Sequence, residues 1–180
     1  MNAIRDFEDI LELFNRHGVK YLIVGGLAFI YHAKPRYTKD MDLWIEGTDD
    51  NITLANRVLA EFGSPTLLDY NKPKQILQIG LAPNRIDILV SMESIEFDEA
   101  WQRRITSTYG GVAANWIDID SLLKIKSGIN KPRHQEDARV LRQVKNAKKR
   151  QGCRGPQSVS VKPSEENRAR TVRRGGRIAG

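Results

Sequence analysis

The 180-residue chain predicts an α/β body, α+β in the stricter sense, with a mixed sheet flanked by helices, a helical C-terminal portion and a disordered basic tail. Three observations predict this. Up to Val90, short apolar runs that read as strands are interleaved with segments of helical periodicity. From Asp118 the pattern turns helical. Beyond Arg150, large apolar residues almost vanish.

Taken in order, Ile4, Phe7, Ile10, Leu11 and Phe14 recur at helical spacing and predict a helix over 4–16, stopped by Gly18. Lys20–Val24 is a short apolar strand, Gly25-Gly26 a turn, and Leu27–His32 a second helix. A loop with Pro35 as breaker leads to a strand over 40–45, in which Met41, Leu43 and Ile45 alternate with Asp40, Asp42 and Trp44. Asp49 or Asp50 caps a helix running to Phe62, closed by Gly63. Two strands, 75–81 and 85–90, form a hairpin through residues 82–84. A short helix follows over 97–104, then a second hairpin, 105–109 and 112–117, turning at Gly110-Gly111. Asp118 or Asp120 caps a helix to Ile129. Pro132 breaks it, and a last helix spans 133–149.

The domain boundary falls at residue 150. Eleven of the 29 Lys and Arg, but only two of the 22 Asp and Glu, lie in 145–180. The body is therefore near neutral, and the tail carries the net charge of +7. The segment 151–180 cannot bury enough apolar surface to offset its ordering entropy, so disorder is expected. The tail reads either as a binder of nucleic-acid phosphates or as a solvated extension. Its lack of aromatic residues for base stacking favours the second. One cysteine, Cys153, excludes an internal disulfide and a cysteine-based zinc cluster. No apolar stretch approaches the roughly 18 residues of a membrane span, and the N-terminus carries early acids and no signal-peptide core. A cytoplasmic protein is expected.

The chemistry concentrates in three acids. Side chains alternate along a strand, so Asp40 and Asp42 share a face, about 7 Å apart. Asp87 lies inside a further apolar run, Arg85-Ile-Asp-Ile-Leu-Val90. Burying acids in strands is costly unless something compensates them, and magnesium is a hard cation bound by carboxylates together with substrate phosphates. Gly25 and Gly26 supply a phosphate side: glycine permits close backbone approach, and the helix that follows presents free N–H groups and a positive dipole end. Arg36, Thr38 and Lys39 precede the acids as further triphosphate contacts, and Lys126 on a late helix is another.

Gly25-Gly26, the thirteen intervening residues, and Asp40-Met-Asp42 with Arg36-Tyr-Thr38 just before it, resemble the polymerase-β-like nucleotidyltransferase superfamily. The likeness extends to small prokaryotic members, among them nucleotidyltransferase toxins of abortive-infection toxin–antitoxin systems. Leu122-Leu-Lys-Ile-Lys126, Arg133 and Asp137 match a C-terminal helical stretch common in those proteins. The resemblance covers about Tyr21 to Val144 and implies a nucleotidyltransferase-like sheet. It implies magnesium-dependent transfer of a nucleoside monophosphate from a nucleoside triphosphate to an acceptor hydroxyl of RNA, protein or a small molecule, with pyrophosphate leaving. Asp40, Asp42 and Asp87 would carry two Mg2+ ions, the first two bridging both. A cognate antitoxin protein is an implied partner. Many members carry Gly-Ser where this chain has Gly25-Gly26, so a serine hydroxyl for the terminal phosphate is absent.

Other readings compete. A fold retained as a non-catalytic nucleotide- or partner-binding module is one, and an antibiotic-modifying nucleotidyltransferase is another. A basic nucleic-acid binder would use the body as scaffold only. Asp118-Ile-Asp120 repeats the Asp-x-Asp pattern but precedes a helical run and reads as a cap. Arg133 and Asp137 have the i, i+4 spacing of a helix salt bridge. The three histidines show no metal spacing, and Trp44, Trp101 and Trp116 read as packing residues.

Overall fold

The structure, a computed structural model, describes residues 3–38, 40–81 and 84–150. The calls on Lys39, on the turn at 82–83 and on the tail with Cys153 therefore lie outside the described residues. Helix α1 (Ala3–His17) buries Phe7, Ile10, Leu11 and Phe14 and ends at Gly18, whose φ of +70° is the left-handed stop glycine allows. Strands β1 (Tyr21–Ile23) and β2 (Asp40–Ile45) pair antiparallel, with helix α2 (Gly25–His32) between them in sequence. After α3 (Asp49–Phe62), strands β3 (Ile76–Ile79) and β4 (Arg85–Leu89) form an antiparallel pair. The short α4 (Phe97–Gln102) then leads to the hairpin of β5 (Ile105–Tyr109) and β6 (Val112–Trp116). Helices α5 (Ile119–Gly128) and α6 (Pro132–Arg150) close the described chain and pack on each other and on α2.

The six strands form one mixed sheet in the order β3-β4-β2-β1-β6-β5. β2 runs parallel to β4, and β1 parallel to β6, so each hairpin joins a central strand through its second member. β1 is the most protected strand, with Tyr21, Leu22 and Ile23 all at 0% exposure. Continuous burial on both faces explains why it reads as an unbroken apolar run. Trp44 and Trp116 are in the core and Trp101 packs against it, as expected; Phe97 meets Trp44 edge-on and stacks on Trp101.

Three local expectations need correction. Gly25-Gly26 is not a turn ahead of a helix but the first turn of α2 itself. Thr48, and not Asp49 or Asp50, caps α3: its Oγ1 accepts the Asn51 N–H at 3.4 Å, while both acids fall in the first turn, where the helix dipole favours them. Pro132 opens α6 rather than merely ending α5, since a first-turn residue needs no N–H partner. Asp118 is the cap of α5, accepting the N–H groups of Asp120 and Ser121 at 2.9 and 3.1 Å. No helix among the described residues is long and apolar enough to cross a membrane.

Candidate active site

The parallel pairing of β2 with β4 decides the site. Its register sets Asp40 opposite Arg85 and Asp42 opposite Asp87. Residues two apart on a strand share a face, so all four side chains emerge together. The three predicted acids are thus brought to one place, on two neighbouring strands at the centre of the sheet.

The α2 N-terminus meets them there. Gly25 has φ +63°, and a Cβ on it would lie 1.8 Å from Asp42 Oδ2. Both facts require glycine, because the backbone is left-handed and the carboxylate occupies the side-chain space. A Cβ at Gly26 would lie 2.5 Å from Thr38 Oγ1. That hydroxyl in turn donates to Asp40 Oδ1 at 3.1 Å. Gly25, Gly26, Thr38, Asp40 and Asp42 are therefore one packed unit. Burial first, and then the charges of Asp40 and Asp87, push the Asp42 carboxyl up to about 6; the Gly26 amide and Lys126 act in the opposite direction.

Two cations stand on the other flank. Lys126 is 4% exposed and pairs with Asp137 at 3.2 Å. Arg36 pairs with the other oxygen of Asp137, and its guanidinium lies 4.4 Å above the centre of the Phe29 ring. Burial holds Lys126 below its usual range, against the attraction of Asp137 and, more weakly, Asp42. The expected i, i+4 salt bridge of Arg133 with Asp137 is replaced: Asp137, 3% exposed, pairs instead with the buried Lys126 of α5 and the partly buried Arg36 of the loop after α2, two cations that share one anion. A cleft of about 170 Å³ opens beside this pair, with Lys34, Arg36 and Arg133 on its wall. The larger cleft, at Lys72–Gln75, contains none of the acids or glycines of the site.

Sequence reasoning missed two residues here. Asp137 was assigned a partner on its own helix, although its partners are Lys126 on α5 and Arg36, 101 residues away. Arg85 was not assigned any role, yet its Nη2 donates to Asp87 Oδ2 at 2.7 Å and to Asp40 Oδ2 at 3.1 Å. Its position two residues before Asp87 was the available signal.

The donor set suits a hard dication: three carboxylates, one of them with its proton affinity raised by burial and by its acidic neighbours. As arranged, no group of three acids among the described residues converges on one metal position. Arg85 stands between Asp40 and Asp87 instead.

The mixed sheet with its flanking and C-terminal helices has a nucleotidyltransferase-like fold. The solved structures that show it include lincosamide antibiotic adenylyltransferase LnuA in its lincomycin-bound form. LnuA has 16% identity and a TM-score of 0.55, over 78% of this chain and 96% of LnuA. ANT(2'')-Ia in complex with adenylyl-2''-tobramycin matches at 14% identity and TM-score 0.53, over 83% of this chain and 92% of that one. The assigned nucleotidyltransferase TM1012 of Thermotoga maritima matches at 13% identity and TM-score 0.51, over 80% and 92% of the two chains. No protein-family model matches the sequence, and no curated protein matches it.

Proposed function

We propose that this chain is a nucleotidyltransferase that moves a nucleoside monophosphate from a nucleoside triphosphate to an acceptor hydroxyl. The acceptor oxygen forms a bond to the α-phosphorus, the bond to pyrophosphate breaks, and the hydroxyl proton passes to a carboxylate. The observation that carries this reading is the register of β2 on β4, which sets Asp40, Asp42 and Asp87 on one face against the α2 N-terminus.

In this reading the first turn of α2, with Gly25 and Gly26, binds the triphosphate through backbone N–H groups. Arg36 and Lys126 balance its charge from the far side, and Asp137 holds both in place. Thr38 orients Asp40. Asp40, Asp42 and Asp87 would hold Mg2+, whose charge would polarise the reacting phosphate and lower the proton affinity of the attacking hydroxyl. Asp87 lies on the acceptor side in our assignment and takes up the proton. The glycine pair offers no hydroxyl, so recognition of the terminal phosphate falls to backbone donors and to the cations.

The acceptor we favour is a hydroxyl of a small molecule, because LnuA is described as a lincosamide antibiotic adenylyltransferase, ANT(2'')-Ia is seen in complex with adenylyl-2''-tobramycin, and both are covered over more than nine-tenths of their length. An RNA or protein acceptor, with a cognate antitoxin, is the toxin-like form of the same chemistry. A second reading, a non-catalytic nucleotide-binding module, has one observation in its favour: the acids are already bridged by Arg85.

Calorimetric titration of the four ribonucleoside triphosphates with Mg2+ tests the site. Binding that requires Mg2+ and disappears in Asp40→Ala/Asp42→Ala is the expected result. Pyrophosphate release across a panel of aminoglycosides, lincosamides and transfer RNA then separates the acceptors, and binding without release on any of them selects the non-catalytic reading.

A further inference from the structure

Arg85 lies between the acids of β2 and β4, and it is there because of register. The pairing that sets Asp42 beside Asp87 also sets Asp40 beside Arg85. Alternation along β4 then brings the guanidinium and the Asp87 carboxylate to the same face. Arg85 Nη2 reaches Asp87 Oδ2 at 2.7 Å and Asp40 Oδ2 at 3.1 Å, and Nε lies 2.7 Å from Asp87 Oδ1. A single planar cation thus donates one hydrogen bond to Asp87 and one across to Asp40 on the neighbouring strand, while its Nε makes a close ion-pair contact with the second Asp87 oxygen that lacks hydrogen-bond alignment. Contacts to two strands from one rigid plane suit arginine; a lysine ammonium, a single point charge, does not reproduce them. Asp42 also acts on Arg85, and Lys126 acts on Asp42. Asp40 and Arg85 are each about a third exposed, at 32%, so the guanidinium has an open side into which it can withdraw.

We infer that Arg85 is a built-in counter-cation: it holds the carboxylates in the nucleotide-free chain and must leave them for a divalent ion to bind. The inference rests on the proposed nucleotidyltransferase reading and adds a positioning residue to it. Two occupants compete for the same oxygens, so the apparent affinity for a free divalent ion falls by the fraction of chains in which Arg85 is already withdrawn. Triphosphate supplies extra oxygen ligands to the ion and tips the competition. Metal and nucleotide therefore load together, and the metal alone loads poorly.

The test is Mn2+ binding to the full chain, followed by the loss of the free-ion electron paramagnetic resonance signal, with and without a non-hydrolysable triphosphate. Arg85→Gln is expected to bind Mn2+ alone about tenfold more tightly than wild type, the size of one good charge-assisted pair, and to gain less from added triphosphate. Arg85→Lys, with a single-point contact, falls between them. Asp40→Asn/Asp42→Asn removes the bound ion and so locates it. Melting in chelator gives an independent reading: Arg85→Gln melts below wild type and recovers on adding Mn2+, because the acids then lack their resident cation. Equal Mn2+ affinity in wild type and Arg85→Gln overturns the role of Arg85 and leaves the proposed reaction standing. Absence of bound Mn2+ in both, even with triphosphate, removes both readings.

Discussion

Two Asp-x-Asp sequences in this chain have opposite fates. Asp118-Ile-Asp120 lies at the end of β6 and start of α5, and each acid there has a structural task. Asp118 caps the helix through two backbone N–H groups, and Asp120 pairs with Lys145 on α6 at 2.6 Å. Asp40-Met-Asp42 lies within a central strand, next to a third acid in register and a helix start. Burial, and then the charges of Asp40 and Asp87, push Asp42 up to about 6. The same three-residue pattern therefore stabilises one place and strains another. Like charges gathered in a partly buried site around Arg85 are the ground for the proposed ligand site.

The difference can be broken most forcefully at the first copy. Asp40→Asn/Asp42→Asn should lower nucleotidyl transfer by at least about a thousandfold, the scale of losing the groups that hold catalytic charge, as measured by pyrophosphate release. Asp118→Asn should leave that rate unchanged within error. Next in size, Gly25→Ala should destabilise the chain by about 2–3 kcal/mol in denaturant unfolding and abolish triphosphate binding. The added methyl meets the Asp42 carboxylate, and the backbone is held at positive φ.

A pH series sharpens the contrast. The Asp42 carboxyl binds its proton more tightly folded than unfolded, so its cost is absent below the ordinary carboxylate range near pH 4. That cost grows between about pH 4 and 6 and levels off above that. In metal-free buffer, Asp42→Asn should therefore gain on the order of 2 kcal/mol over wild type at pH 8 and almost nothing at about pH 3, read from thermal melts. The opposite sign would mean that Asp42 is stabilised as an anion in the folded chain. The smallest effect belongs to the capping copy: Asp118→Ala should cost about 1 kcal/mol of stability at pH 7, with triphosphate affinity intact.

Much of this was legible in the residues. Alternation marked β2 as a strand with its two acids on one side, and the match of Asp40–Ile45 to the expected bounds follows from that period. Gly18 and Gly63 marked helix ends because few other residues take left-handed backbone there. Asp118 was legible as a cap from the helical run after it. Thr48 was not, since Asp49 and Asp50 are equally good capping residues and only the backbone chooses among them. Lys126 resisted for another reason. A lysine on an amphipathic helix looks solvated until its partner is known, and Asp137 comes from a different helix.

By itself, then, the sequence determined the elements, their order, and the acids and glycines proposed to act together. Those follow from interactions within a few residues: strand alternation, capping, and the special backbone of glycine. Tertiary structure alone decided that β4 lies beside β2 in the register that meets Asp42 with Asp87. It likewise decided that Arg85 arrives with them, and that Asp137 serves Arg36 and Lys126 rather than Arg133. Register and ion partners join residues 11 to 101 positions apart, and no local period carries information over that distance. Burial of the shared apolar faces chooses among the pairings, and the charges must then make do with the neighbours that packing gives them.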